Sequence, residues 1–442
     1  MPPTALLYPL KELSDLLENI YLFAGIMLSY GILFFFLFRR VTGTFLHPLS
    51  INLILLTASL SVVVYCLLYD NPTAWSILAY INLYLLAFVA CFFLFRGRAS
   101  GGGDRAALGK SRLLNISLYI VGGIVAGQLL VLVSGGDFSL LSGATEDKAL
   151  AGQSFHFLFR LFVPCTYFVG GYFWAYAPSD SRRKLALWAF LGSAIAMTLQ
   201  GSKTAAVNIV LFGALGMAVG GMSGTRPVVS RKVMVAGGIG AAGLFAMILV
   251  ASQNTLLEAL YNVAARPFLQ FDQLIVVAML DCGRLGDSYR ESMLQWYLAP
   301  VFKPLGLYTS QFDGVSHFYQ TVVQGYDIDV AKARANNNFI LEVMWGTPPW
   351  MRLPLILAGG ALEGGSLGYF WRTRYRSGFH YLCWTNRIWT PFMLLIFGAD
   401  GFVWFSVFLV IVGGAAAMDW LTRDTLARDI DLPKPDAELP MT

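Results

Sequence analysis

The chain has 442 residues, of which 57% are hydrophobic and only 13% are charged. This composition is too apolar for a soluble protein of such length. The apolar stretches run about 20 residues, long enough for a helix to cross a hydrocarbon core of roughly 30 Å. We therefore predict an all-α, polytopic membrane helix bundle. The net charge of +5 reflects basic membrane loops, so it does not predict a nucleic-acid partner.

Acidic residues precede the first apolar run, at Glu12, Asp15 and Glu18. A secretory signal begins with basic residues instead, so this run is predicted to be a retained helix. The hydrophobic pattern as a whole predicts about eleven transmembrane helices. They lie near residues 19–38, 49–69, 74–95, 113–134, 154–176, 185–199, 205–221, 233–252, 353–371, 378–398 and 401–421.

Lysines and arginines cluster in alternate loops between these spans. Short cytoplasmic loops are enriched in both residues, so the clusters indicate the orientation of the chain. The N-terminus is predicted to lie outside and the C-terminus in the cytoplasm. The basic clusters are Arg39–Arg40, Arg96–Arg112, Arg182–Lys184, Arg226–Lys232, Arg372–Arg376 and Arg423–Lys434.

This topology divides the chain into four parts. Residues 1–252 form an N-terminal transmembrane bundle, 253–350 a large outer loop, 351–421 the C-terminal transmembrane helices, and 422–442 a cytoplasmic tail. The outer loop is far longer than any other, so function is expected there.

Two cations lie at the predicted outer ends of membrane spans. Arg160 lies within FHFLFRLFVPCTYF, where an arginine costs several kcal/mol unless it pairs, lines a wet cavity or reaches the headgroups. Lys203 lies in a polar break between two short apolar segments. A tight hairpin there would put Lys203 beside a helix N-terminus, which suits a phosphate. The alternatives are an arginine that reaches outer headgroups and a hydrated lysine in an ordinary turn.

The outer loop supplies further candidates. Its amphipathic start carries Arg266 near the membrane surface, and Arg290 follows among aromatic residues. Aromatic rings stack on sugars and also populate membrane interfaces, and both interpretations stay open. His317 and Glu342 are the plausible proton acceptors of the loop. No Cys/His cluster has metal-ligand spacing, so neither a metal nor another cofactor is predicted.

Two charged residues interrupt later spans. Glu363 lies in a glycine-rich span, and Arg387 interrupts the tenth span. Such residues could form buried structural pairs or could mark an ion pathway in a transporter.

Two segments carry a resemblance to a known family. LQGSKTAAVNIVLFGAL looks like a polar hairpin followed by an apolar helix, and NNNFILEVMWGTPPWMRLPLILAGGALEGGSLGYFW looks like the segment that closes a large periplasmic loop. Together they resemble the bacterial oligosaccharide repeat-unit polymerases, the O-antigen polymerase or Wzy family. Lys203 stands where many relatives have arginine. The His-Asn pair of the related ligases is absent, because Asn337–Asn338 occupy the comparable position; this favours a polymerase.

The resemblance implies a metal-independent, GT-C-like glycosyltransferase of the bacterial inner membrane. Its donor and acceptor would be glycans linked to undecaprenyl diphosphate, and a chain-length regulator would be a possible protein partner besides the membrane lipids. Arg160, Lys203, Arg266 and Arg290 would then bind the substrate diphosphate, and Glu342 or His317 would serve as the base. A ligase-type transferase and a polysaccharide transporter or flippase are the alternatives.

Overall fold

The computed structural model describes four continuous segments, 18–42, 72–97, 180–199 and 338–373. Regular structure within the described residues is helical and includes no strand, as predicted for an all-α chain. The remaining described residues are 56, 57, 60, 61, 64, 122, 123, 125–127, 129, 130, 167, 170–173, 213, 216, 295–298, 305–307, 315–318, 321, 322, 387, 392, 394, 395, 398, 402 and 417.

The described helices include four long ones that coincide with the first, third, sixth and ninth predicted spans. In chain order the helices are α1 Ile20–Thr42, α2 Pro72–Arg96, α3 Asp180–Leu199, α4 Val315–Phe318, α5 Phe339–Gly346 and α6 Pro349–Thr373.

One described helix has the length and composition to cross a membrane, at Ala74–Arg96 within α2. A shorter apolar helix covers Tyr21–Phe36 of α1. Large apolar side chains such as Trp75 and Leu94 stay exposed on α2. An apolar surface of this kind is costly in water and suits contact with lipid.

Helices α2 and α6 pack side by side and run parallel. Gly360 of α6 lies against the carbonyl oxygen of Tyr84, and Gly364 lies one turn further along against the carbonyl oxygen of Phe88. Gly368 continues the pattern at Phe92. We call Gly360, Gly364 and Gly368 the glycine face.

The glycine face allows the two backbones to touch. A Cβ atom built on Gly364 would overlap the Phe88 carbonyl oxygen and would lie 2.7 Å from the Phe88 Cα atom. Small residues at four-residue spacing permit close helix approach in membranes, and Cα–H groups then contact carbonyl oxygens. The glycine-rich sequence of α6 therefore sets its register against α2.

Two consecutive prolines, Pro348 and Pro349, mark the boundary between α5 and α6. The side chain of Asn338 accepts a hydrogen bond of 3.0 Å from the Ile340 N–H and caps the start of α5. Thr347 ends α5 in an extended conformation, as expected for a residue that precedes a proline. Pro349 opens α6, where its missing N–H costs no helical hydrogen bond. Glu342 is thereby held on a short separate helix directly before α6.

Replacing Gly364 with alanine is expected to destabilise the protein, because the new methyl group meets backbone atoms that cannot move aside. Overpacking of this kind costs about 1–3 kcal/mol, and the melting temperature of the detergent-purified protein should fall by several degrees. Gly25→Ala on α1 is the matched control, since a Cβ there meets nothing within 4 Å. Equal melting temperatures for both variants would contradict the close packing.

Candidate functional site

Two buried carboxylates define the candidate site. Glu342 of α5 is 0% exposed, and Glu363 of α6 is 2% exposed. A carboxylate removed from water is very unfavourable unless it is hydrogen-bonded or paired. The hydrogen bonds and ion pairs of each carboxylate are therefore described first.

Glu342 is held by a residue of the predicted outer loop. The Tyr297 hydroxyl donates a hydrogen bond of 2.9 Å to Glu342 Oε2. The Tyr297 ring packs against Phe402, with 5.1 Å between ring centroids. Trp296 beside it is also buried. The Tyr297–Glu342 hydrogen bond thus joins helical residues 295–298 to α5.

Gly398 closes the other side of Glu342. Its φ of +51° is the left-handed region that favours glycine. A Cβ atom on Gly398 would overlap the Glu342 carboxylate, lying 2.6 Å from its Cδ atom. This position requires glycine both for its backbone conformation and for its contact. We call Glu342, Tyr297, Gly398 and Phe402 the Glu342 centre.

His317, the second predicted proton acceptor, is also buried. It lies on α4, the short helix that packs against α5. The two predicted proton acceptors are therefore on neighbouring elements.

Glu363 has partners on both carboxylate oxygens. Tyr84 donates a hydrogen bond of 2.6 Å to Oε2, and the Leu394 N–H donates one of 2.9 Å to Oε1. Arg387 Nη2 lies 3.8 Å from Oε1. These residues, together with Ser366, form what we call the Glu363 centre. It joins α2, α6 and residues of the predicted tenth span.

Arg387, like the Glu363 carboxylate, is held by several hydrogen bonds. Its Nε donates to Ser366 Oγ at 2.7 Å, and its Nη2 donates to the Glu363 carbonyl oxygen at 2.9 Å. Of the two interpretations that the sequence left for Glu363 and Arg387, the structure shows the buried pair.

The two centres share their supporting residues. The Tyr84 ring meets the Phe339 ring edge to face, with centroids 5.8 Å apart, and Phe339 begins the helix that carries Glu342. Phe392 has a φ of 60° and packs on Phe88 at 4.5 Å. A non-glycine residue in this region is strained by about 1–3 kcal/mol. Leu394 thus contacts Glu363, and Gly398, four residues later, contacts Glu342.

The predicted diphosphate-binding cations lie outside the described residues. Arg160, Lys203, Arg266 and Arg290 belong to this group, so their role in binding the diphosphate stays a prediction. Within the described part of the chain, no three His, Cys, Asp or Glu side chains come together to hold a metal ion.

Sequence reasoning did not identify the partners of Glu342. Tyr297 was only one of many aromatic residues in the outer loop, and nothing singled out Gly398. The available signal was the glycine at the junction of two predicted spans, which indicates a turn but not what the turn contacts.

Comparison of the chain with family models, with curated proteins and with solved structures gives no match. A functional assignment therefore depends on the residues, their contacts and the motifs of the sequence.

Replacing one member of the Glu363–Arg387 pair is expected to destabilise the protein strongly, because the other charge stays buried and loses its partner. Arg387→Met removes the cation that faces the Glu363 carboxylate, and Glu363→Gln removes the carboxylate that faces Arg387. Each variant should lose about 3–5 kcal/mol of stability. The double variant should lose less than the sum, because neither charge is left alone.

Thermal unfolding of the four proteins in detergent measures this coupling. Lys184→Met, which removes an exposed cation of α3, is the control and should leave the melting temperature unchanged. Strictly additive losses in the double variant would refute an energetic role for the pair.

Proposed function

We propose that this protein is a membrane glycosyltransferase that polymerises oligosaccharide repeat units linked to undecaprenyl diphosphate. The reaction takes place at the periplasmic face of the bacterial inner membrane and serves the synthesis of a cell-surface polysaccharide. The chain crosses the membrane about eleven times and carries one large periplasmic loop. The observation that supports this best is the Glu342 centre, a buried carboxylate with a phenol from that loop.

The contacts of the described residues agree with the proposed topology at both the periplasmic and the cytoplasmic ends of the helices. Glu342 and Tyr297 belong to the proposed periplasmic loop, and Gly398 lies at the periplasmic end of the tenth span. At the opposite end, Gly97 lies against Arg372, and both are proposed to be cytoplasmic. The parallel course of α2 and α6 is what two spans that both enter from the periplasm require.

In the reaction, the acceptor hydroxyl attacks the anomeric carbon of the donor glycan. A new glycosidic bond forms, the bond to the lipid diphosphate breaks, and the hydroxyl proton goes to a base. Glu342 is the proposed base. Tyr297 would orient the carboxylate so that one oxygen is held and the other is presented to the acceptor. His317, buried on the neighbouring helix, is the second candidate.

Burial of Glu342 would keep water away from the proposed base. Because the carboxylate is fully covered, an acceptor reaches it only after a covering segment, such as that of Tyr297 or that of Gly398, moves aside. A base that water does not reach protects the donor from hydrolysis while no acceptor is bound.

The leaving diphosphate needs positive charge. The family resemblance implies chemistry without a metal, so side-chain cations must stabilise the charge that develops on the phosphate oxygens. Arg160, Lys203, Arg266 and Arg290 are proposed for this role. Arginine can bind two phosphate oxygens at once, whereas Lys203 offers a point charge.

Glu342→Gln is expected to abolish long-chain polysaccharide while single repeat units accumulate on the lipid. Glutamine keeps the shape and can still accept the Tyr297 hydrogen bond but cannot take up a proton, so the rate should fall about 10²–10⁴-fold. Glycan profiling of a deletion strain that carries the variant measures this. Tyr297→Phe should lower the rate less. Normal polymer made by Glu342→Gln would exclude Glu342 as the base.

Arg160→Ala and Arg266→Ala are expected to give the same phenotype, since each removes a cation from the diphosphate. Normal chain length in both variants would contradict the proposed site. The deletion strain also separates the alternatives, because ungrafted polymer would indicate a ligase. A transporter would need Glu363 and Arg387 for flux while tolerating changes in the outer loop.

A further inference from the structure

Two arginines lie side by side at one end of the helix pair. Arg96 is the last residue of α2, and Arg372 lies in the last turn of α6. The glycine face brings these ends together, because a Cβ atom on Gly368 would lie 3.0 Å from the Arg96 backbone nitrogen. A Cβ atom on Gly97 would lie 3.0 Å from Arg372 Cδ and 3.9 Å from its Nη1.

Each guanidinium is seated on an aromatic ring of its own helix. The Arg96 guanidinium carbon lies 5.1 Å from the Phe93 ring centroid, and that of Arg372 lies 5.8 Å from the Tyr369 centroid. Attraction between a cation and a ring face holds both groups in defined orientations. The pair is therefore arranged before any ligand binds.

Neither cation has an acidic partner among the described residues. Arg96 Nη1 is shielded from solvent and makes no hydrogen bond there. The negative ends of the two helix dipoles offset only part of the two positive charges. An oxyanion at this end of the helix pair would supply negative charge and could accept hydrogen bonds from the exposed Arg372 guanidinium.

Apolar side chains are exposed directly beside the cations. Leu94 is 73% exposed, and Phe93 and Phe95 are each nearly half exposed. They lie within one turn of Arg96, on the membrane side of it. A ligand that fits both features is an amphiphile with an anionic head and apolar tails.

We propose that Arg96 and Arg372 bind the phosphate of an anionic phospholipid in the cytoplasmic leaflet. Its acyl chains lie along the exposed residues Phe93 to Phe95. That leaflet carries the anionic lipids that attract basic residues next to membrane helices. Further arginines flank the site in sequence, Arg98 after α2 and Arg374 and Arg376 after α6. The site depends on the membrane position of α2 and not on the proposed transferase activity.

Native mass spectrometry of the full-length protein tests the site. The protein in neutral detergent is titrated with phosphatidylglycerol, and the bound lipid is counted for wild type and for the variant Arg96→Gln/Arg372→Gln. Each basic residue near an anionic lipid contributes about fivefold to affinity, so the variant should bind about thirtyfold more weakly. Phosphatidylcholine, which is zwitterionic, should bind weakly to both.

A control variant of equal charge separates this site from a general charge effect. Arg39→Gln/Lys184→Gln removes two cations from the same predicted face and should leave phosphatidylglycerol affinity within twofold of wild type. An equal loss in both variants, or no loss in either, overturns the proposal. Displacement of the lipid by millimolar inorganic phosphate also overturns it, because the acyl chains would then contribute nothing.

Single variants of Arg372 test the lipid site even if the double variant does not fold. Arg372 is exposed, so Arg372→Gln should purify normally and lose about fivefold in affinity. Arg372→Lys keeps the charge but not the planar fork and should lose less. Equal affinity of wild type and Arg372→Gln counts against the pair.

Discussion

The contact between the α6 backbone and the α2 carbonyls is the constraint on which the described structure depends. In lipid, apolar side chains gain little by leaving their surroundings, so helices associate through close packing and hydrogen bonds. The glycine face supplies the packing. It also fixes Glu363 opposite Tyr84 and brings Phe339 onto the same tyrosine ring. The orientation of α5, and with it Glu342, follows from this one register.

The Glu363 centre adds specificity to this packing. A buried ion pair is weak evidence for stability, because two charges lose their hydration when they are buried. Here both carboxylate oxygens and the guanidinium have partners, so a different placement of Arg387 would leave a charge unsatisfied. The Leu394 N–H is one of those partners, and it follows the left-handed Phe392. The strained turn therefore directs a backbone donor at Glu363 and leads on to Gly398 beside Glu342.

The helical character of the described segments could be predicted from the sequence, because hydrophobic runs and helix breakers act locally. The apolar stretches predicted α2 and α6 as helices, and the prolines after Thr347 explain why α5 ends. The eleven-span topology extends beyond the described residues and stays a prediction. Glycine enrichment in α6 was visible, but which helix it contacts was not, since periodicity identifies a face and not its neighbour.

The candidate site could be predicted only in part for the same reason. Glu342 was selected because a carboxylate in the outer loop can accept a proton. Its partner Tyr297 lies 45 residues away in the chain, and no local pattern distinguishes it from other aromatic residues. Glu363 and Arg387 were recognised as unusual, but their pairing depends on how two spans face each other. A single sequence does not give the distance between Glu363 and Arg387.

The separation of Tyr84 from Glu363 has a consequence for biosynthesis. The two residues are 279 positions apart, and a ribosome that adds about 5–20 residues per second needs roughly 14–56 seconds to cover that interval. During this time α2 has no α6 to pack against, and the Tyr84 phenol lacks its Glu363 partner. The native neighbour of α2 is thus synthesised long after α2 itself.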